Sequence, residues 1–210
     1  MKIEILNSTG SKTGRNVELN DEIFGIEPND HAIYLTVKLF LANQRQGTHK
    51  SKERNEVAGS TRKLHRQKGT GGSRKGDIKN PLYYGGGTIF GPKPRDYGFK
   101  LNGKVKDLAR KSAFSYKAKE NKIIIIEDLK MDQPKTKDFA GVLKALGVDK
   151  TKSLVVIGSN DTNVRISGRN IPNTEISMAD NLHTYEIMKA NTLILSESSV
   201  EKINQMVPKN

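Results

Sequence analysis

The 210-residue chain contains no cysteine and no tryptophan, and only 6% of its residues are aromatic. Without cysteine there is no disulfide, no thiolate zinc site and no thiol nucleophile. The purest apolar runs, such as Ile123 to Ile126, fall far short of the ~20 residues that a membrane-spanning helix needs. Met1 leads straight into the alternating "KIEIL", without the basic and apolar regions of a secretory leader, so no signal peptide is expected. A soluble, cytoplasmic protein is the expectation. The length suffices for one good-sized domain with a real core.

What the chain has in excess is positive charge. The formal net charge is +13, carried by 36 Lys+Arg against 23 Asp+Glu. Its distribution is uneven. Residues 45–106 hold 16 cations and 4 anions together with 12 of the 19 glycines, whereas the remainder holds 20 cations and 19 anions. The protein therefore reads as a nearly neutral globule, 1–210, interrupted at about 45–102 by a basic, glycine-rich loop. Such a charge points first to nucleic acid and second to an anionic membrane, but no amphipathic basic helix supports the membrane.

Periodicity outlines the globule. "KIEIL" alternates like a strand, and "NVEL", after a turn at Gly14, is placed to pair with it. A helix is expected from an Asp30 cap, with Ile33, Val37, Phe40 and Leu41 on one face and Gly47 beyond its end. A second is expected after Asn102 through Val105, Leu108, Ala109, Ser112, Ala113 and Tyr116. "KIIIIE" and "SLVVIG" read as strands buried on both faces, and "NTEISM" and "TLILS" as further strands. Between them lie a helix from Pro134 to Gly147, with Phe139, Val142, Leu143 and Leu146 inward, and another through Leu182, Tyr185 and Met188. A last helix opens on a Ser198-x-x-Glu201 capping box and buries Val200, Ile203 and Met206. Strands alternating with helices predict an α/β domain with a parallel sheet flanked by helices.

The basic segment shows no sustained period. At its centre "RQKGTGGSRKG", Arg66 to Gly76, packs four cations and four glycines with no acid. Phosphate-loop motifs fail here. Gly71-x4-Gly76 is followed by Asp77 where a P-loop requires lysine, and "GTGGSR" has Arg74 at the last glycine of G-x-G-x-x-G. An extended RNA-binding arm fits better: Arg62, Lys63, Arg66, Lys68, Arg74 and Lys75 are dense enough to meet successive phosphates, and glycines permit close backbone approach. Aromatics are interleaved at Tyr83, Tyr84, Phe90, Tyr97 and Phe99, of which Tyr83, Tyr84 and Phe90 either stack on bases or pack the return path. A solvated basic segment with no fixed partner is the alternative. His49 and His65 have no second ligand at metal spacing, so no metal or cofactor is expected.

For catalysis the best candidates are Glu127-Asp128 and the "GSND" of Gly158 to Asp161, both just past buried strands, where α/β proteins place ligand groups. Acidic residues there equally serve as helix caps. No nucleophile elbow or His–carboxylate–nucleophile set can be assembled. A nucleotide-dependent enzyme guiding RNA with its insertion is the rival reading; no enzymatic activity is expected.

"RQGT" at Arg45–Thr48, "RQKGTG" at Arg66–Gly71, "GGGTIFGPKPRDY" at Gly85–Tyr97 and "QPKTK" at Gln133–Lys137 closely resemble, in order and spacing, the bacterial-type large-subunit ribosomal protein L-four family. The resemblance covers essentially the whole chain. It departs at Leu64-His65, where the family commonly has Pro-Trp, and at Gly72-Ser73, where others often carry Arg-Ala. The resemblance implies an α/β domain on the outer face of the large subunit and a long loop entering the ribosomal RNA. Its partners would be that RNA, neighbouring large-subunit proteins and the nascent peptide. The RNA-contacting set it implies is Arg45, His49, Lys50, Lys52, Arg54, Arg62, Lys63, His65, Arg66, Gln67, Lys68, Arg74, Lys75, Lys79, Tyr83, Tyr84, Lys93, Arg95, Tyr97 and Lys100. Arg66, Gln67, Lys68, Gly69, Thr70 and Gly71 would form a tip near the peptide exit tunnel.

Overall fold

A computed structural model describes residues 1–205 of the chain. Six strands form one sheet: β1 (Lys2–Leu6), β2 (Lys12–Glu18), β3 (Ile123–Ile126), β4 (Ser153–Ile157), β5 (Thr174–Met178) and β6 (Thr192–Ser196), in the order β2-β1-β3-β6-β4-β5. Every neighbouring pair is parallel except β1–β2. The fold is thus α/β with a mostly parallel sheet and one antiparallel edge. The helices are α1 (Asp21–Phe24), α2 (Asp30–Asn43), α3 (Gly103–Lys119), α4 (Thr136–Ala145), α5 (Thr162–Arg169), α6 (Thr184–Lys189) and α7 (Glu197–Gln205), with a 3-10 turn at Ala179–Asn181.

The isoleucine run sits in mid-sheet because it has apolar neighbours on both faces. Successive strand residues point to opposite sides. Ile123, Ile125, Leu193 and Leu195 join Phe114, Val200 and Ile203 in one buried cluster. Ile126, Val155, Ile157 and Ile194 join Phe139, Leu143 and Val164 in the other. Residues 44–102, all described, contain neither helix nor strand. The chain divides into two compact units, residues 42–99 and the rest.

Several local expectations are corrected. The β1–β2 turn is made by Asn7–Ser11, where the Asn7 Oδ1 accepts from the backbone N–H groups of Thr9 and Ser11. Gly14 instead lies inside β2, at a register shift opposite Ile5. Asn29, not Asp30, caps α2: its Oδ1 accepts from the Ala32 N–H at 2.9 Å. Asp30 accepts from the Tyr116 hydroxyl across to α3. Leu41 and Leu108 are exposed, so each stripe is narrower than its periodicity implies. α5 has too few apolar residues to show a period; its start is marked by Asp161, whose carboxylate accepts from the Asn163 and Val164 N–H groups. The helix expected through Leu182 begins later, after a His183 cap paired with Glu186. α7 starts before Ser198: the Ser196 Oγ accepts from the Ser199 N–H, so the Ser198–Glu201 box does not cap it. Val200 and Ile203 are buried as expected; Met206 lies outside the described residues.

Candidate nucleic-acid interface

Within residues 42–99 the chain goes out and returns along itself. The Arg95 N–H donates to Gly47 O (3.1 Å), the Ser51 N–H to Pro92 O (3.0 Å) and the Thr88 N–H to Lys52 O (2.9 Å). The approach is close enough to require glycine. A Cβ on Gly87 would stand 2.3 Å from the Arg54 backbone nitrogen, and one on Gly91 would stand 1.7 Å from Ser51 Oγ. These glycines serve the arm's own backbone. At the far end, Gly69 and Gly71 have positive φ (82° and 69°) and nothing within 4 Å.

The acids of this unit are largely consumed near its base. Lys50 pairs with Glu56, Lys93 with Glu53, and Arg54 with Asp77 at 3.0 Å. The Lys50 ammonium bonded to Glu56 holds that carboxyl below its usual range, and Glu53 holds Lys93 above its own. Asp77 is buried and its second oxygen, Oδ1, has no hydrogen-bond partner among the described residues. Arg45 and Arg95 lie over the Tyr97 ring at 3.8 and 4.6 Å. The Arg95 hydrogen bond to the phenol lowers the Tyr97 pKa. Lys75 lies over Tyr83 at 5.3 Å.

The centre of the segment differs. Residues 58–74 are all exposed, among them Arg62, Lys63, His65, Arg66, Gln67, Lys68 and Arg74. The Leu64 N–H donates to Gly76 O at 3.0 Å and closes the loop that carries them. Lys63 donates to Gln67 Oε1, a neutral partner. Among the described residues, the ion pairs of the unit leave Arg62, Arg66, Lys68 and Arg74 without a carboxylate. Lys52 and His49 are also exposed, Lys79 is half-buried, and exposed Lys100 falls in the globular unit. The structure therefore gathers the expected cations into two groups. Arg45, Lys50, Arg54, Lys75, Lys93 and Arg95 are paired with acids or stacked on tyrosines, whereas the distal Arg62, Arg66, Lys68 and Arg74 remain free to meet polyanion charge.

The acidic strand ends do something else. The Arg15 guanidinium on β2 bridges Glu127 (2.5 Å) after β3 and Glu197 (3.3 Å) after β6. Asp128 accepts from the Ser198 Oγ (2.5 Å) and N–H (3.2 Å) at the start of α7. Asp161 caps α5. Every strand-end acid singled out from the sequence is thus held in a cap or an ion pair. Arg15 escaped sequence reasoning because its partners lie 112 and 182 residues away, with no local signal. Among the described residues no three His, Cys, Asp or Glu side chains are placed to hold a metal, and no helix is long and apolar enough to cross a membrane.

Residues 17–206 match the model of the Ribosomal protein L4/L1 family. The chain is 56% identical over 207 residues to the large ribosomal subunit protein uL4 of Phocaeicola vulgatus, covering 99% of this chain and 100% of that one. It is 58% identical to the uL4 of Parabacteroides distasonis, with 98% of each chain covered. For the uL4 of Flavobacterium johnsoniae the identity is 54%, with both chains covered completely. With a family pattern spanning the arm and strands β3 to β6, and relatives more than half identical from end to end, this chain belongs to the ribosomal protein L4/L1 family.

Proposed function

We propose that this chain is a structural component of the large ribosomal subunit, in the cytoplasm, and that its basic arm binds the large-subunit ribosomal RNA. The chain acts as one α/β domain interrupted by the arm at about 45–102. In this reading Arg62, Lys63, Arg66, Lys68 and Arg74 neutralise phosphates, supported by Lys75, Lys79, Lys52, His49 and His65. The tip from Arg66 to Gly71 lines the nascent-peptide exit tunnel beside a neighbouring ribosomal protein, and the arm supports subunit assembly. The relatives' common description as large-subunit proteins supports the assignment to that subunit.

The observation that carries the RNA assignment is the distal group of cations: exposed, without acidic partners, on a loop whose open glycines let RNA reach the backbone. Such charge in one place repels itself until phosphates surround it.

Sedimentation of tagged protein from lysate through a high-salt sucrose gradient tests the reading, with and without residues 54–94. Salt matters because nonspecific cation–phosphate binding weakens steeply with ionic strength. Full-length protein is expected to stay with the large subunit, while the deletion is lost or stalls in precursor particles. Full-length protein floating free at the top of the gradient would overturn the proposal.

A further inference from the structure

Apart from Phe99, 37% exposed, the aromatic side chains of the arm divide into two kinds. Tyr83 and Tyr97 are half-buried and already hold cations against their rings. Tyr84 and Phe90 are 108% and 96% exposed, and Leu82 between the tyrosines and the preceding turn is 92% exposed. The loop presenting Leu82 and Tyr84 closes on its own backbone. Its ends are tied by the Gly87 N–H to Lys79 O at 3.0 Å, and its interior by the Tyr83 N–H to Asn80 O and the Gly86 N–H to Tyr83 O. Turning Tyr83 inward onto Lys75 leaves Tyr84 outward.

Large apolar groups left exposed close together along a chain mark an interaction surface. Residues 42–99 carry 13 cations and 4 acids, so the occupant is anionic as well as flat and apolar. We infer that Tyr84 and Phe90 are stacking platforms for unpaired bases of RNA, resting on the RNA-binding role proposed above. Every base offers a π-face, and an aromatic ring beside lysines and arginines engages base and phosphate together. A paired helix hides its base faces in the stack, so the surface selects single-stranded loops, bulges or ends. Tyr83 and Tyr97 are positioning residues that keep the arm in shape.

The absence of tryptophan gives a direct test, because Tyr84→Trp or Phe90→Trp in the full chain would be the sole indole. Each variant is titrated with protein-free large-subunit ribosomal RNA and, at equal phosphate, with a fully paired RNA duplex. The ribosomal RNA is expected to quench emission and the duplex to leave it unchanged. In filter binding, Tyr84→Ala and Phe90→Ala should each weaken the ribosomal RNA complex about tenfold with an unchanged salt slope. Lys68→Gln should lower the slope instead. Tight binding without quenching or affinity loss overturns the stacking inference and leaves the RNA-binding role intact; no binding overturns both. Quenching that appears only when other large-subunit proteins are added assigns the patch to protein contact and also overturns the inference.

Discussion

Lys117 on α3 is a cation buried inside the globular unit, 6% exposed, with its Nζ donating to Ala190 O at 2.7 Å just past the end of α6. Desolvation lowers its pKa from the usual 10.5 despite an opposing pull from Glu120. The folded value therefore lies below the unfolded one. Between the two values the unfolded chain binds more protons, so stability rises with pH through that window. Below it the full cost of burying the charge is present. In paired urea titrations, the stability of the native protein relative to Lys117→Met should increase as pH climbs toward 10.5. A difference that stays flat would mean that Lys117 is solvated in the folded protein. The strand-end acids teach a related lesson at this scale. Glu127 and Asp128 stand where α/β enzymes keep catalytic groups, yet one is bridged by Arg15 and the other caps α7. A carboxylate's address in a fold does not reveal its occupation.

At the scale of elements, the arm is stabilised by its limbs rather than by a core. Its backbone hydrogen bonds form only because glycine lets the limbs touch. Gly87→Ala places a Cβ against the Arg54 backbone and should speed amide exchange at Thr88, which donates to Lys52 O, by at least about tenfold, roughly 1.4 kcal/mol. Gly72→Ala, with nothing within 4 Å, should leave that amide's protection unchanged. Equal effects at both positions would contradict this division of the glycines. Composition alone could not separate the two groups, because identical residues meet backbone in one case and open space in the other. The regular elements were easier to read. "IIII" and "SLVVI" declare buried strands because both faces are apolar, and the stripe of Phe139 and Leu143 declares α4 because one face is. α5 and the short α1 were not legible: their apolar residues are too few, and tertiary packing holds them, α1 on α3 and α5 on α4 and β5.

At the scale of the whole molecule, charge asymmetry dominates. Residues 45–106 hold nearly all of the net +13. Affinity for ribosomal RNA should therefore fall steeply with salt, and neutralising Arg62, Lys63, Arg66, Lys68, Arg74 and Lys75 together should flatten the log–log slope by about 4. The melting temperature should fall by no more than a degree or so, because none of these six residues makes an ion pair among those of the unit and only Lys75 has a ring contact, over Tyr83 at 5.3 Å. An unaltered slope would move the RNA contact to the other unit. A larger fall in melting temperature would show that the arm's cations stabilise the fold directly.

What depends on near neighbours is readable along the chain: strand and helix periods, the split between a neutral α/β globule and a basic glycine-rich segment, and the motifs that carry the family resemblance. Folding adds the order β2-β1-β3-β6-β4-β5, the pairing of Arg15 with acids 112 and 182 residues away, and the choice of which arm cations, glycines and aromatics are already engaged. The physical reason is range. Periodicity is set by backbone geometry over a few residues, whereas partners are chosen by shape and charge between segments that the fold alone brings together.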